Sequence, residues 1–329
     1  IENMRRKISG TDRPNLSLYL AADENPATVQ IDIPNMPLSK KMGTGFPKVV
    51  YIPAKSVVEV NGFPMGDPAD AYNPSNLADT RLYFTGVTDR AIRITSNQPI
   101  GAWEHIYGTN NTAGGTLLIP TKMWSTSYIV QSRGGTSNNN NPNSFFFVIA
   151  ENDSTTIEFT PTTDIIDSST ATIFTQSHTA ANVKYKADVT YNILLNKGQV
   201  FNAMGFINSS KVASDLSGTK IISNNPFKRI AVFGGNGRVL INPTGCTNTA
   251  GSDNLIQQIF PKAAWGTKYL TVPTKTMETG VYRVTVDDIN TNVSINGVVL
   301  AKGTLINKSY YDISRNQPLL IESDKRVMV

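Results

Sequence analysis

Residues able to do chemistry are sparse in this chain of 329 residues: two histidines, His105 and His178, one cysteine, Cys246, and 25 aspartates and glutamates. A zinc site needs three or four His, Cys or carboxylate ligands converging on one ion. Neither histidine sits in a His-x-x-His or Cys-x-x-Cys spacing, so both read as turn or surface residues. Cys246 has no partner for an intrachain disulfide and no flanking base that would make it a nucleophile. No Ser lies in Gly-x-Ser-x-Gly, and Gly234-Gly235-Asn236-Gly237 lacks the Lys-Ser/Thr ending and following helix of a phosphate loop, so it reads as a tight β-turn. Three acidic stretches, Asp23-Glu24-Asn25, Glu151-Asn152-Asp153 and Asp287-Asp288 with Asn290, are oxygen-rich candidates for calcium. Asp and Asn are equally ordinary turn residues, and no Gly-centred calcium loop accompanies them. The expectation is a chain with no catalytic residue, no cofactor and no metal.

Contact chemistry is better represented. Trp103, His105 and Tyr107 run into Asn110, Asn111 and Thr112, and a second polar loop carries Asn236, Asn248, Thr249 and Asp253. Aromatic rings beside short amide and hydroxyl side chains suit recognition of a glycan or an exposed protein backbone. The loops 103–115 and 234–254 are therefore the candidate binding surfaces. Trp124 and Trp265, each followed four residues later by Tyr128 or Tyr269, suit a different role: aromatic wedges packing one structural unit on the next.

The elements that position these residues recur. Leu18–Ile31, Phe146–Phe159 and Tyr282–Ile295 align without gaps as an apolar run, an acidic Asn-containing turn and an alternating strand, which reads as a β-hairpin. A second element recurs at Val50–Val58, Ile193–Phe201 and Val298–Ile306, and a third at Ile92–Ile100, Lys220–Phe227 and Leu320–Val327. A fourth, Pro120–Ile129, matches Pro261–Leu270, each preceded by Asn-Thr-Ala-Gly. This predicts an all-β chain of antiparallel repeat units, tandem sandwiches in preference to a propeller-like ring. The expected units are 1–142 with an amino-terminal extension, 143–279, and a shortened 280–329.

Gly and Pro are spread along the chain as turns between many short strands require. The net charge of +5 is dispersed, with only short clusters such as Arg5-Arg6-Lys7 and Lys228-Arg229, so nucleic acid is not an expected partner. No run of 18 apolar residues spans a bilayer, so direct membrane insertion is not expected either. The start at Ile1-Glu2-Asn3 and the stop within an apparent strand suggest a mature or excised piece of a larger secreted protein.

Gly218–Pro226, Ile230–Gly235, Cys246, Asp253–Ile259 and Pro261–Tyr269, with the Phe147–Pro161 stretch, together resemble the amino-terminal domain of IgGFc-binding proteins, a family that includes bacterial surface relatives. The family often pairs the cysteine at the position of Cys246 with a second one, and this chain has Ser252 there. The resemblance implies an extracellular, adhesion-type module binding a glycan or surface protein. A structural subunit of a filament, sheath or virus particle, binding copies of itself, is the alternative, and a carbohydrate-active enzyme a further one.

Overall fold

The computed structural model describes residues 15–37, 39, 44–64, 80, 82, 84–107, 113–136, 143–167, 177–241, 251–275 and 279–329. They form antiparallel sheets joined by turns and short 3-10 segments, so the expected all-β class holds. Two sandwiches follow one another. In the first, a four-stranded sheet runs in the order Ser56–Val60, Asn15–Ala22, Ile100–Tyr107, Ala113–Leu117, and faces a three-stranded sheet ordered Lys48–Ile52, Ala27–Asp32, Arg93–Ser96. In the second, Val200–Met204, Ser144–Ala150, Ile230–Leu240 and Ser252–Gln258 repeat the first order, with Gly86–Thr88 added at the edge. Its facing sheet, Tyr191–Leu195, Thr155–Thr160, Lys220–Ser223, repeats the second order, with Ser127–Ile129 added. A third sheet is built from Val298–Val299, Val293–Ile295, Leu319–Met328, Gly280–Val286 and Tyr310–Arg315, and Gly266–Thr271 pairs with Leu319–Met328.

The recurring segments are not hairpins. Asn15–Ala22 and Ala27–Asp32 lie in opposite sheets, as do Ser144–Ala150 and Thr155–Thr160. The second element behaves likewise, crossing from Lys48–Ile52 to Ser56–Val60 and from Tyr191–Leu195 to Val200–Met204. Each is an arch that sets two alternating strands face to face across the core, so Leu18, Leu20, Val29 and Ile31 are all buried between the sheets. Alternation says which side chains are apolar, and it is the same for a strand paired beside its neighbour or stacked opposite it. Aligned Lys55 and Gly198 both adopt the left-handed backbone, at φ 56° and 74°, which turns the chain at the second arch. In the third sheet a two-residue hairpin does form: Asn296-Gly297, both at positive φ, joins Val293–Ile295 directly to Val298–Val299.

Ser144–Ala150 is apolar at nearly every position because both its faces are covered. Phe146 and Val148 point into the second core, whereas Phe145 and Phe147 join the core of the first sandwich. Gly234 and Gly235 lie inside the strand Ile230–Leu240, not in the turn the sequence suggests. A Cβ on Gly235 would sit 1.8 Å from the carbonyl oxygen of Leu255, and one on Gly234 would sit 2.2 Å from that of Gln131. The glycines let neighbouring backbone close onto this strand.

The third sheet docks on the second sandwich through charge. Arg283 holds Asp312 through Nε and Nη2, both at 2.8 Å, and Asp215 through Nη1 at 3.0 Å, while its guanidinium stacks 3.7 Å from the centre of the Tyr310 ring. The Tyr310 hydroxyl donates to Asp215 Oδ2 at 2.9 Å. Burial alone would raise the Asp215 carboxyl, but the Arg283 charge and the hydrogen bonds from Ser217 outweigh it and hold the carboxyl below its ordinary value. A depressed carboxylate stabilises the folded state fully above its unfolded pKa of about 3.9 and loses that contribution as pH falls through the lowered value. Acidification below about pH 4 is therefore expected to release Gly280–Met328 first, read as early proteolytic cleavage there. Asp215→Asn should weaken the junction at neutral pH and flatten this acid response; an unchanged acid profile would contradict the assignment.

Candidate functional site

The outer face of the four-stranded sheet of the first sandwich collects the aromatic residues singled out above. Side chains alternate along Ile100–Tyr107, so Ile100, Ala102, Glu104 and Ile106 face the core while Trp103, His105 and Tyr107 face outward. Tyr19 lies directly across from Trp103 in the neighbouring strand, and its ring centre is 5.8 Å from that of His105. His105 stacks on Tyr107 at 5.4 Å. Small residues make the strip flat. Gly101 leaves room for the Trp103 indole, since a Cβ there would lie 2.7 Å from the ring, and Gly115 lies across from His105. Trp103 remains 40% exposed, with Leu117 across from it and Val57 further along the sheet also exposed. The buried Nδ1 of His105 has no hydrogen-bond partner among the described residues.

Tyr19 is the residue that sequence reasoning missed. It belongs to the alternating segment Leu18–Ile31 and reads there as part of an apolar run. Its signal is positional: an outward-phase tyrosine facing Trp103 becomes visible only when the strand pairing is known.

The remaining candidates divide differently. Asn110, Asn111, Thr112, Asn248 and Thr249 lie outside the described residues, as does Cys246. Asn236 is fully buried, donating through Nδ2 to the Arg133 carbonyl at 2.6 Å and accepting the Arg238 N–H at 2.8 Å. Asp253 accepts the Ala113 N–H at 2.6 Å and so stitches the edge strands of the two sandwiches together. Gln258 completes that seam, accepting from the Ile119 N–H at 2.6 Å. His178, expected at a turn or surface, is buried and accepts the Ile207 N–H through Nδ1 at 2.8 Å.

The acidic turns are held by cations of the protein itself. Glu151 forms a two-pronged pair with Arg229 at 2.8 Å, and Asp287 pairs with both Lys220 and Lys262. Burial would raise Asp287, but these two lysines hold it below its ordinary value. Among the described residues, no group of three or more His, Cys, Asp or Glu is placed to hold a metal ion.

Glu104 is one residue from both Trp103 and His105 but on the opposite face of the sheet. It is buried, Oε1 has no hydrogen-bond partner among the described residues, and burial pushes its carboxyl above the ordinary carboxylate range. A raised carboxyl is what a sugar-cleaving acid requires, yet the sheet separates Glu104 from the strip. Because the folded state resists ionising this group, wild-type stability falls as pH rises from the ordinary toward the raised value. Glu104→Leu is expected to raise Tm, by more at pH 7 than at pH 4, in a paired thermal-melt series. A lower Tm at both values would show that the carboxyl makes a bond the folded state needs.

Residues 114–329 match the family described as IgGFc binding protein. No curated protein matches the chain, and no solved structure does. The match begins inside the edge strand Ala113–Leu117 and takes in the second sandwich apart from its added edge strand Gly86–Thr88, the third sheet and both Trp-containing segments. On that span, with the strand order above, the chain belongs to the IgGFc-binding protein family.

Proposed function

We propose that the chain is a non-catalytic binding module of an extracellular surface, and that the strip Tyr19, Trp103, His105 and Tyr107 is its contact face. The observation that carries this reading is the correspondence between the two sandwiches. Tyr19 and Trp103 occupy the strand positions held by Phe147 and Phe233 in the second sandwich. Those two rings stack at 4.6 Å and belong to the core shared with the first sandwich. The same two positions thus serve one sandwich as a protein contact and face outward on the other, with Trp103 exposed and Tyr19 partly so. This favours a protein partner over a glycan, although flat rings beside polar loops suit a sugar face as well. Family membership supports a binding role in general. Asn110, Asn111 and Thr112 follow Tyr107 in sequence, and Asn248 and Thr249 precede Asp253, so these residues are the proposed polar rim. We further read the two sandwiches and the third sheet as units of one repeated building block, with adhesion as the biological role.

The chain should be screened against immobilised surface proteins, IgG Fc and a glycan array. Trp103→Ala with Tyr19→Ala is expected to weaken any specific binding at least tenfold, in line with aromatic hot spots worth about 2 kcal/mol, and to leave Tm within about 1 °C because both rings lie outside the core. Full retention of binding by the double variant would remove the strip from the contact surface.

A further inference from the structure

Among the described residues, the first sandwich lacks a strand at an edge where the rest of the molecule places one. In the second sandwich, Ser127–Ile129 pairs with Lys220–Ser223, setting Tyr128 opposite Ile221. In the third sheet, Gly266–Thr271 pairs with Leu319–Met328, setting Tyr269 opposite Ile321. The donated strands come from aligned Pro-x-x-x-Trp-x-x-x-Tyr segments and land in the same register, because Ile221 and Ile321 are aligned positions too. Each tyrosine hydroxyl accepts an N–H of its own segment, from Ser125 at 2.9 Å or Gly266 at 2.8 Å. Each then donates across to the acceptor, to the Ile230 carbonyl at 2.8 Å or that of Val327 at 2.7 Å.

The matching edge of the first sandwich is Arg93–Ser96, with Ile94 in the position of Ile221: Ile94 pairs with Ile31 as Ile221 pairs with Phe159. Among the described residues no strand pairs with its outer side. Its backbone is set for one. The Asn97 N–H turns inward to the Thr28 carbonyl, as that of Asn224 does to Thr156. The preceding Ser96 N–H therefore points outward, as that of Ser223 does when it donates to Thr126 at 2.7 Å. Beside this edge lies an apolar groove of about 620 Å³, lined by Ile92, Ile94, Ile100, Leu118 and Trp124. Ile100 holds the place of Ile230, whose carbonyl takes the tyrosine hydroxyl in the second sandwich. Trp124 holds the place of Trp265, which is buried because Ile129 of the donated strand and Met328 cover it. Trp124 is only half-buried.

We propose that this groove and edge accept, by strand addition, an extended segment of the Trp-x-x-x-Tyr-Ile/Leu pattern from another unit of the same kind. The proposal stands on the edge and not on the aromatic strip, so either can fail alone. The probe is a fluorescein-labelled peptide of residues 120–131 added to the whole chain. Saturable one-to-one binding is expected, with slowed amide exchange confined to 92–96, and at least tenfold weaker binding by a Tyr128→Phe peptide. Ser96→Pro removes the outward N–H at an exposed edge position where proline is tolerated, so the variant should melt like the wild type and lose binding about tenfold or more. Absence of peptide binding, or binding without protection of 92–96, would overturn the proposal. So would equal binding by Ser96→Pro, or a dimer that Ser96→Pro abolishes while the peptide fails to bind, which would mean that a surface other than the Trp-x-x-x-Tyr segment covers the edge. Should Ser96→Pro melt low, the exchange measurement on the wild type decides alone.

Discussion

The Tyr128 hydroxyl holds one end of the junction between the two sandwiches by bonding in two directions at once. It accepts the Ser125 N–H, which fixes the turn after Trp124, and donates to the Ile230 carbonyl at the start of the second sandwich's long strand. Burial pushes this phenol up to about 12, so it remains a donor at any physiological pH. Around it the backbone closes on both sides: the Ile230 N–H donates to the Ser125 carbonyl, and Val130 exchanges bonds with Thr219 and Gly218. A three-residue strand could not hold its place through so short a ladder alone. The hydroxyl bridge and the burial of Tyr128, Ile129 and Val130 supply what the ladder lacks.

The same segment sets the order in which parts of the molecule depend on each other. Ile129 covers Trp265, Trp265 covers Met328, and Tyr269 then repeats the bridge onto the third sheet. A second set of contacts runs through sheet faces, and its chemistry changes along the chain. Between the sandwiches it is apolar, with Phe145, Phe147 and Phe233 set into the first core. Between the second sandwich and the third sheet it is ionic, with Arg283 at the position of Phe147 gripping Asp215 and Asp312. Apolar burial is insensitive to pH, whereas a half-buried ion network is not. The aromatic strip of the first sandwich is the counterpart of these faces, which is the ground for proposing it as a contact surface.

Much of this was legible in the sequence. Leu18–Ile31 and Phe146–Phe159, aligned without gaps, lie at corresponding places in the two strand orders, and Trp265 packs between Ile129 and Met328, whereas Trp124 is only half-buried. Reading arches as hairpins failed because a period of two records which face a residue is on, not which strand lies beside it. Gly234-Gly235 misled for a related reason: glycine marks close approach of backbone as readily as a turn, and only the Leu255 and Gln131 carbonyls show which. Tyr19 escaped because its partner Trp103 is far away in sequence. Asn236 and Asp253 were chosen for polarity, which in a seam between sheets is spent internally.

Amide hydrogen exchange of residues 125–130 tests the account most directly, since in sequence this segment trails the first sandwich and in structure it belongs to the second. The amides of Ile230 and Val130 should share the protection and the denaturant dependence of Thr155–Thr160, and Tyr128→Phe should release 125–130 and 219–223 together. Exchange of 125–130 at the rate of an open loop, or in step with Asn15–Ala22 instead, would contradict a fold joined by donated strands.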